Sequence, residues 1–375
     1  MYFLFKFIKA KWIFKKPQKK SILIYDRHSE EFAKLLFSKK NYDFLDVRYE
    51  SVNIYVLIFT FLDTGIKNFK DNYKKNFIKF VSPKIVYTSI DNNPAFFNLK
   101  NIYDKPLYIS DQNAISKVPE SYKQDEFYGV CKRYNQKTKK KLRADYIFLY
   151  GKNDKERVSK IIKGNIHLLG NTINNYYTIK DKKIKKEISS IMFISSTKIE
   201  FTFPDAHTKF KRVFEKDKLI FRYLVKFCQI NKIKLFFCSR YDTSKEIFHR
   251  NNYAPGNWIY SPRISRRQVY EDINKQQMVV FQLSTMGFQA LAKGIKCASF
   301  YSCFPEKGSN GKFPKRGPFW TNSNKYYDFE KILNKVIDYS NKSWKKIAQK
   351  HSSEILSYDP SNIKKKKIIK RVLKL

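Results

Sequence analysis

The chain has 375 residues, enough to bury two cores of ordinary size, and its 76 Lys and Arg against 33 Asp and Glu give a formal net charge of +43. Of those cations 62 are Lys and 14 are Arg, spread along the whole length, which argues against a nucleic-acid reader and leaves AT-rich codon bias or attraction to an anionic membrane as the source of the charge. The five Cys (131, 228, 238, 297 and 303) are odd in number and form no CxxC pair, so they indicate neither a disulfide framework nor a zinc site and fit the reducing cytoplasm.

Residues 1–20 alternate Phe3, Phe5, Phe7, Trp12 and Phe14 with Lys6, Lys9, Lys11 and Lys15. They read either as a basic amphipathic segment lying in a membrane interface or as a helix packed on the domain behind them. No apolar run approaches the roughly 18 residues of a spanning helix, and no cleavage site follows the apolar N-terminal positions. The expected location is therefore the cytoplasm, peripheral at the inner face of the membrane.

From residue 21 onward short apolar runs alternate with helical stretches. Strands are expected at 21–26, 42–47, 84–90, 106–110 and 145–150, and a second series at 190–195, 233–239, 258–260, 278–283 and 296–300. Helices are expected at 208–231, 266–275 and 285–293. A charged, Asn-rich stretch at 171–187 separates the series. The pattern predicts an α/β chain of two Rossmann-like, doubly wound domains facing a central cleft, at 21–175 and 188–340, followed by a basic helical tail at 341–375.

In such sheets ligands sit just past the carboxyl ends of the strands, so those positions are read directly. In the first series they carry Asp26, Arg27 and His28; then Asp46, Arg48 and Glu50; then Asp91, Asn92 and Asn93; then Asp111, Gln112 and Asn113. Carboxylates, amides and guanidinium groups at one topological level suit a sugar or alcohol, whose hydroxyls need donors and acceptors alike. The second series carries Ser195 and Ser196, then Arg240, then Arg263, and finally the turn of Ser284 and Thr285 running into a helix with Gly287 and Gln289. Free N–H groups at that helix start, with hydroxyls and arginines around them, suit a diphosphate, and Gly287 is expected to let the ligand approach. The alternative is an ordinary strand-to-helix turn whose Ser-Thr pair only caps the helix. Nothing in the sequence requires a metal.

Residues 22–26, 46–53, 90–94, 112–114, 284–294 and 317–322, occurring together and in order, resemble the bacterial surface carbohydrate biosynthesis proteins. The resemblance spans residues 21–322. It implies a two-domain GT-B type glycosyltransferase that moves an activated sugar or sugar-like acid onto a surface glycan precursor, with no cofactor beyond the nucleotide-linked substrate. Ala114, Gln282 and Gln289 depart from the pattern, which has Gly at the first position and acids at the other two. The implied division assigns donor phosphates to Ser284, Thr285, Arg240, Arg263, Ser195 and Ser196. Acceptor binding falls to Arg27, Arg48, Asn92, Asn93, Gln112 and Asn113. Asp91 is the preferred acceptor base, with Asp26 and Glu50 as substitutes. The rival readings are a nucleotide-sugar epimerase, a polyol-phosphate transferase and a non-enzymatic polyanion-binding scaffold. The expected partners are the nucleotide-sugar donor, a glycan or lipid-linked acceptor and an anionic membrane, without nucleic acid.

Overall fold

The computed structural model describes residues 10–48, 50–113, 126–178, 187–195, 208–239, 247, 250–252, 254–282, 284–301 and 315–374, without the side chains of 126–127 and 208–214. Of these, 10–113, 126–176 and 359–374 form one compact unit and 177–358 another.

In the first unit the chain runs β1 (Lys11–Ile13), β2 (Ile22–Tyr25), α1 (Glu30–Leu36), β3 (Tyr42–Leu45), β4 (Ser51–Asn53), α2 (Ile54–Thr64) and α3 (Phe69–Val81). It continues through β5 (Ile85–Thr88), α4 (Pro94–Ile102), β6 (Leu107–Asp111), α5 (Glu126–Thr138), β7 (Leu142–Leu149), α6 (Lys152–Ile161), β8 (Ile162–Leu168) and α7 (Thr172–Tyr176). Six strands pair in parallel in the order β3-β2-β5-β6-β7-β8, and β1 pairs separately with β4. All four residues of β2 and of β5 are buried, as expected of parallel strands covered on both faces.

The second unit contains β9 (Ser190–Ile194), α8 (Thr208–Ile230), β10 (Lys234–Cys238), β11 (Trp258–Ser261), α9 (Arg266–Lys275), β12 (Met278–Phe281), α10 (Thr285–Ala292), β13 (Lys296–Ser299), α11 (Tyr326–Asp338) and α12 (Asn341–Ile355). Its five strands are also parallel, in the order β11-β10-β9-β12-β13. Chain order reverses between β9 and β12 in this sheet and between β2 and β5 in the first. These switch points are where an open α/β sheet offers a crevice.

The chain then returns to the first unit as α13 (Ile363–Lys374). The stretch expected as one basic tail at 341–375 is thus divided, α12 belonging to the second unit and α13 to the first. The run of four Lys at 364–367, whose composition alone suggests a solvated face, is partly internal: Lys365 is fully buried, its Nζ 2.8 Å from Asp111 Oδ1 and 2.6 Å from Thr172 Oγ1. Asp359 caps this helix by accepting from the N–H groups of Lys364 and Lys365.

Three short or irregular strands escaped the hydrophobic pattern. Residues 11–13, expected in an interfacial or helical segment, instead pair with β4; residues 1–9 lie outside the described residues. The third is β8, where Gly164 interrupts the apolar run. A Cβ there would lie 2.3 Å from the Ala144 carbonyl oxygen, at the register irregularity between Arg143 and Tyr146, so the close strand approach requires glycine. In the stretch expected as a linker, 172–176 form a helical turn with 172–175 buried, whereas 179–186 lie outside the described residues. No helix among the described residues is long and apolar enough to cross a membrane.

Candidate functional site

At the switch point of the first sheet the chain leaves β2 through Asp26, whose φ of +75° is a left-handed conformation unfavourable to a residue with a Cβ. The turn is held because Asp26 Oδ1 accepts from the backbone N–H of His28 at 2.9 Å. The same oxygen lies 2.9 Å from His28 Nδ1, while Oδ2 accepts from Arg48 Nε at 2.7 Å. The Asp26 side chain is buried, but that of His28 is 62% exposed. A carboxylate therefore orients an imidazole whose other nitrogen, Nε2, is the free end of the pair.

The neighbouring groups brace this pair. Arg27 donates from Nε and Nη2 to the two Asp46 oxygens at 3.0 and 2.9 Å, and Ser51 also donates to Asp46. Glu50 accepts from the Arg48 backbone N–H. Beneath them Ser29 Oγ accepts from Ser89 N–H at 2.8 Å, joining the two strand ends across the switch point. Ligand atoms of Asp26, His28 and Glu50 lie within 4.8 Å of one another, close enough to share a cation. Both Asp26 oxygens are already engaged, however, and the fixed charge of Arg48 competes with any cation there.

Asp91, the preferred base on sequence grounds, sits in a different environment. It is 3% exposed, and its carboxylate accepts from Tyr128 Oη at 2.6 Å and Asn113 N–H at 3.4 Å. Burial raises its pKa to about 7, although the Tyr128 hydrogen bond favours the charged form. Gln112, expected to meet an acceptor, is buried: Nε2 donates to Asp154 and Oε1 accepts from Tyr150 N–H. Asn93 caps α4 by accepting from Ala95 N–H, and Asn92 lends its carbonyl to Cys131. These positions hold the fold together. Arg27, Arg48 and the exposed Asn113 remain at the surface.

At the switch point of the second sheet, Ser284 stands at the N-cap of α10 in an extended conformation but makes no side-chain capping bond, which leaves first-turn N–H groups for another acceptor. Two residues earlier, Gln282 is 1% exposed and its Oε1 has no hydrogen-bond partner. An amide oxygen buried without a donor is costly. Thr285 is half-buried in the first turn.

Three expectations here change. Gly287 does not open the backbone to a ligand: a Cβ would lie 2.1 Å from the Phe281 ring, so glycine lets α10 pack on β12. Gln289 is buried and accepts from Tyr270 Oη at 2.8 Å, which ties α10 to α9. Ser195 is buried with an ion pair, receiving Arg250 Nη2 at 2.9 Å beside an Arg250–Asp217 contact of 2.7 Å. The Arg250 guanidinium also lies 4.2 Å from the Phe237 ring centre. Arg263 is half-buried between β11 and α9, and Ser196 and Arg240 lie outside the described residues. Phe319 and Trp320, near the end of the 317–322 segment, are buried against Trp344 and His351 and close the core.

Sequence reasoning named His28 without giving it a role, and it missed Arg250, Asp217, Tyr128 and Lys365. The scarcity of Arg among so many Lys was the available signal for Arg250. Nothing local distinguishes Lys365 from its neighbours, because the partners of its ammonium group are 193 or more positions away.

A family model for O-antigen biosynthesis proteins matches residues 121–373, and the chain belongs to that family. No curated protein matches the chain in sequence. In fold it is similar to the UDP-GlcNAc 2-epimerase from Neisseria meningitidis bound to UDP-GlcNAc, with TM-score 0.56 and 9% identity over 94% of this chain and 99% of that one. It is similar to S. aureus MnaA in complex with UDP, at TM-score 0.52 and 14% identity over 96% and 98% of the two chains. The wall teichoic acid polymerase TagF gives TM-score 0.52 and 11% identity over 95% and 90%. The shared feature is the fold, a parallel-sheet α/β architecture of the GT-B type.

Proposed function

From that family membership we propose that the chain is a GT-B type glycosyltransferase of O-antigen assembly, moving a sugar from a nucleotide-activated donor to a hydroxyl of a surface-glycan precursor. The observation that carries the reading is the pair of a buried, strained Asp26 and an exposed His28 at a sheet switch point. In the proposed reaction His28 Nε2 takes the acceptor hydroxyl proton while Asp26 holds Nδ1–H and stabilises the imidazolium. The acceptor oxygen forms a bond to the anomeric carbon, the bond from that carbon to the phosphate oxygen breaks, and a nucleoside diphosphate leaves. The uncapped start of α10, with the Ser284 and Thr285 hydroxyls, suits a diphosphate by its own chemistry. Asp91 then serves the architecture of the rim, and Arg27 and Arg48 bind acceptor hydroxyls. UDP and UDP-GlcNAc in two of the fold relatives support a nucleotide sugar as the donor class.

The test is a thermal-shift screen against nucleotide sugars, followed by turnover with the ligand that raises the unfolding midpoint. Release of nucleoside diphosphate only when a lipid-linked glycan acceptor is added supports transfer. Interconversion of the sugar without acceptor would select an epimerase. A panel in which no nucleotide sugar stabilises the protein would overturn the donor assignment.

A further inference from the structure

Helix α2 has its chemistry turned outward. Its buried positions are Val56 and Thr60, and behind Thr60 the fully buried Asn76 of α3 donates to Thr60 Oγ1 at 3.2 Å and to Asp63 at 3.4 Å. Its exposed positions are large and apolar: Tyr55, Ile58, Phe59, Phe61 and Leu62 are 42–78% exposed, and Ile66, just past the Gly65 turn, is 83% exposed. Residues 55, 58, 59 and 62 follow the spacing of a single helical face. A water-facing helix has the reverse pattern, so this face is built for contact with something apolar.

Its edge is basic. Lys15, Lys16 and Lys67 are exposed, and Lys16 Nζ lies 5.8 Å from the Tyr55 ring centre and 5.6 Å from that of Phe80. The helix carries no cation, and its one acid, Asp63, is engaged by Asn76. A second copy of a chain with net charge +43 would bring like charge to this rim, whereas an anionic bilayer offers an apolar layer and negative headgroups together. Eleven residues span only about 16 Å, too short to cross a bilayer and suited to lying within its interface.

We propose that the outer face of α2, rimmed by Lys15, Lys16 and Lys67, inserts into the interfacial layer of an anionic membrane. The inference is independent of residues 1–9 and of the catalytic assignment. The test is co-sedimentation of the full chain with phosphatidylglycerol-rich and with phosphatidylcholine vesicles. Phe61→Ser combined with Leu62→Ser is expected to lower partitioning about 10-fold or more onto anionic vesicles while leaving the unfolding midpoint and nucleotide-sugar stabilisation unchanged. Lys15→Glu with Lys16→Glu should weaken binding at low salt and matter little at high salt. Leu62→Trp should keep binding and show a blue shift of emission, relative to the native chain, when vesicles are added. Unchanged partitioning of the double Ser variant would overturn the proposal, as would loss of all binding on removal of residues 1–9 alone. A vesicle-free dimer that the double Ser variant dissolves would assign the face to a second copy and equally overturn it.

Discussion

The charges at the carboxyl ends of the first sheet satisfy one another, whereas at the switch point of the second a helix start is left uncapped; both sheets bury polar atoms without partners. Asp46 is held by Arg27 and Ser51, Asp111 by Lys365, Tyr87 and Thr172, and Gln112 by Asp154 and Tyr150, so that His28 is the group presented outward on a fixed carboxylate. In the second unit Ser284 leaves the start of α10 uncapped and Gln282 keeps a buried oxygen without a donor. A pre-paired rim holds His28 in place, as the proposed proton abstraction requires. An uncapped helix start keeps N–H groups for a ligand, as the proposed anion binding requires.

The comparison breaks most visibly at His28. His28→Ala is expected to cut turnover about 10²–10⁴-fold with donor affinity preserved, and Asp91→Asn to leave turnover within about threefold. Steady-state rates on the same acceptor decide this, and a larger loss from Asp91→Asn than from His28→Ala would return the base to Asp91.

Pairing within the first rim is tested by Lys365→Met, which leaves Asp111 buried without its ammonium partner. The expected loss is about 3–5 kcal/mol in chemical denaturation, part of which Lys365→Met with Asp111→Asn should recover. A loss below about 1 kcal/mol would mean that α13 docks through its apolar side chains alone.

On the other side of the comparison, Ser284→Ala with Thr285→Ala should weaken nucleotide binding by about 1–3 kcal/mol by calorimetric titration, with little change in stability. Gly287→Ala should do the opposite, costing about 1–3 kcal/mol of stability through its clash with Phe281, and Phe281→Leu should restore part of it.

The remaining prediction concerns pH. Asp91 has a folded pKa raised to about 7, against an unfolded value near 3.8. The folded chain therefore binds the extra proton between those values, and the stability tied to protonated Asp91 is full below about pH 4 and lost as pH rises through 7. Melting curves of Asp91→Asn and the native chain across pH 5–8 should diverge in that direction, the variant being less sensitive to pH. Parallel curves would show that Asp91 is solvated in the folded state.

Ten strands, the helices at 208–230, 266–275 and 285–292, and the parallel α/β class could be read along the chain, because buried parallel strands are short runs of apolar residues that hydrophobicity alone reveals. The strand-end positions followed from the same reading, since topology places them wherever a strand stops. Sequence could not say which of those polar groups are consumed internally. Asp91 and His28 both look like rim residues in one dimension, and only the Tyr128 hydroxyl over one and the solvent around the other separate them. The Lys run at 364–367 and the apolar helix at 54–64 make the same point from opposite sides. One contributes a buried cation and the other an exposed apolar face, because burial is set by which elements pack together across hundreds of residues, a property no local composition carries.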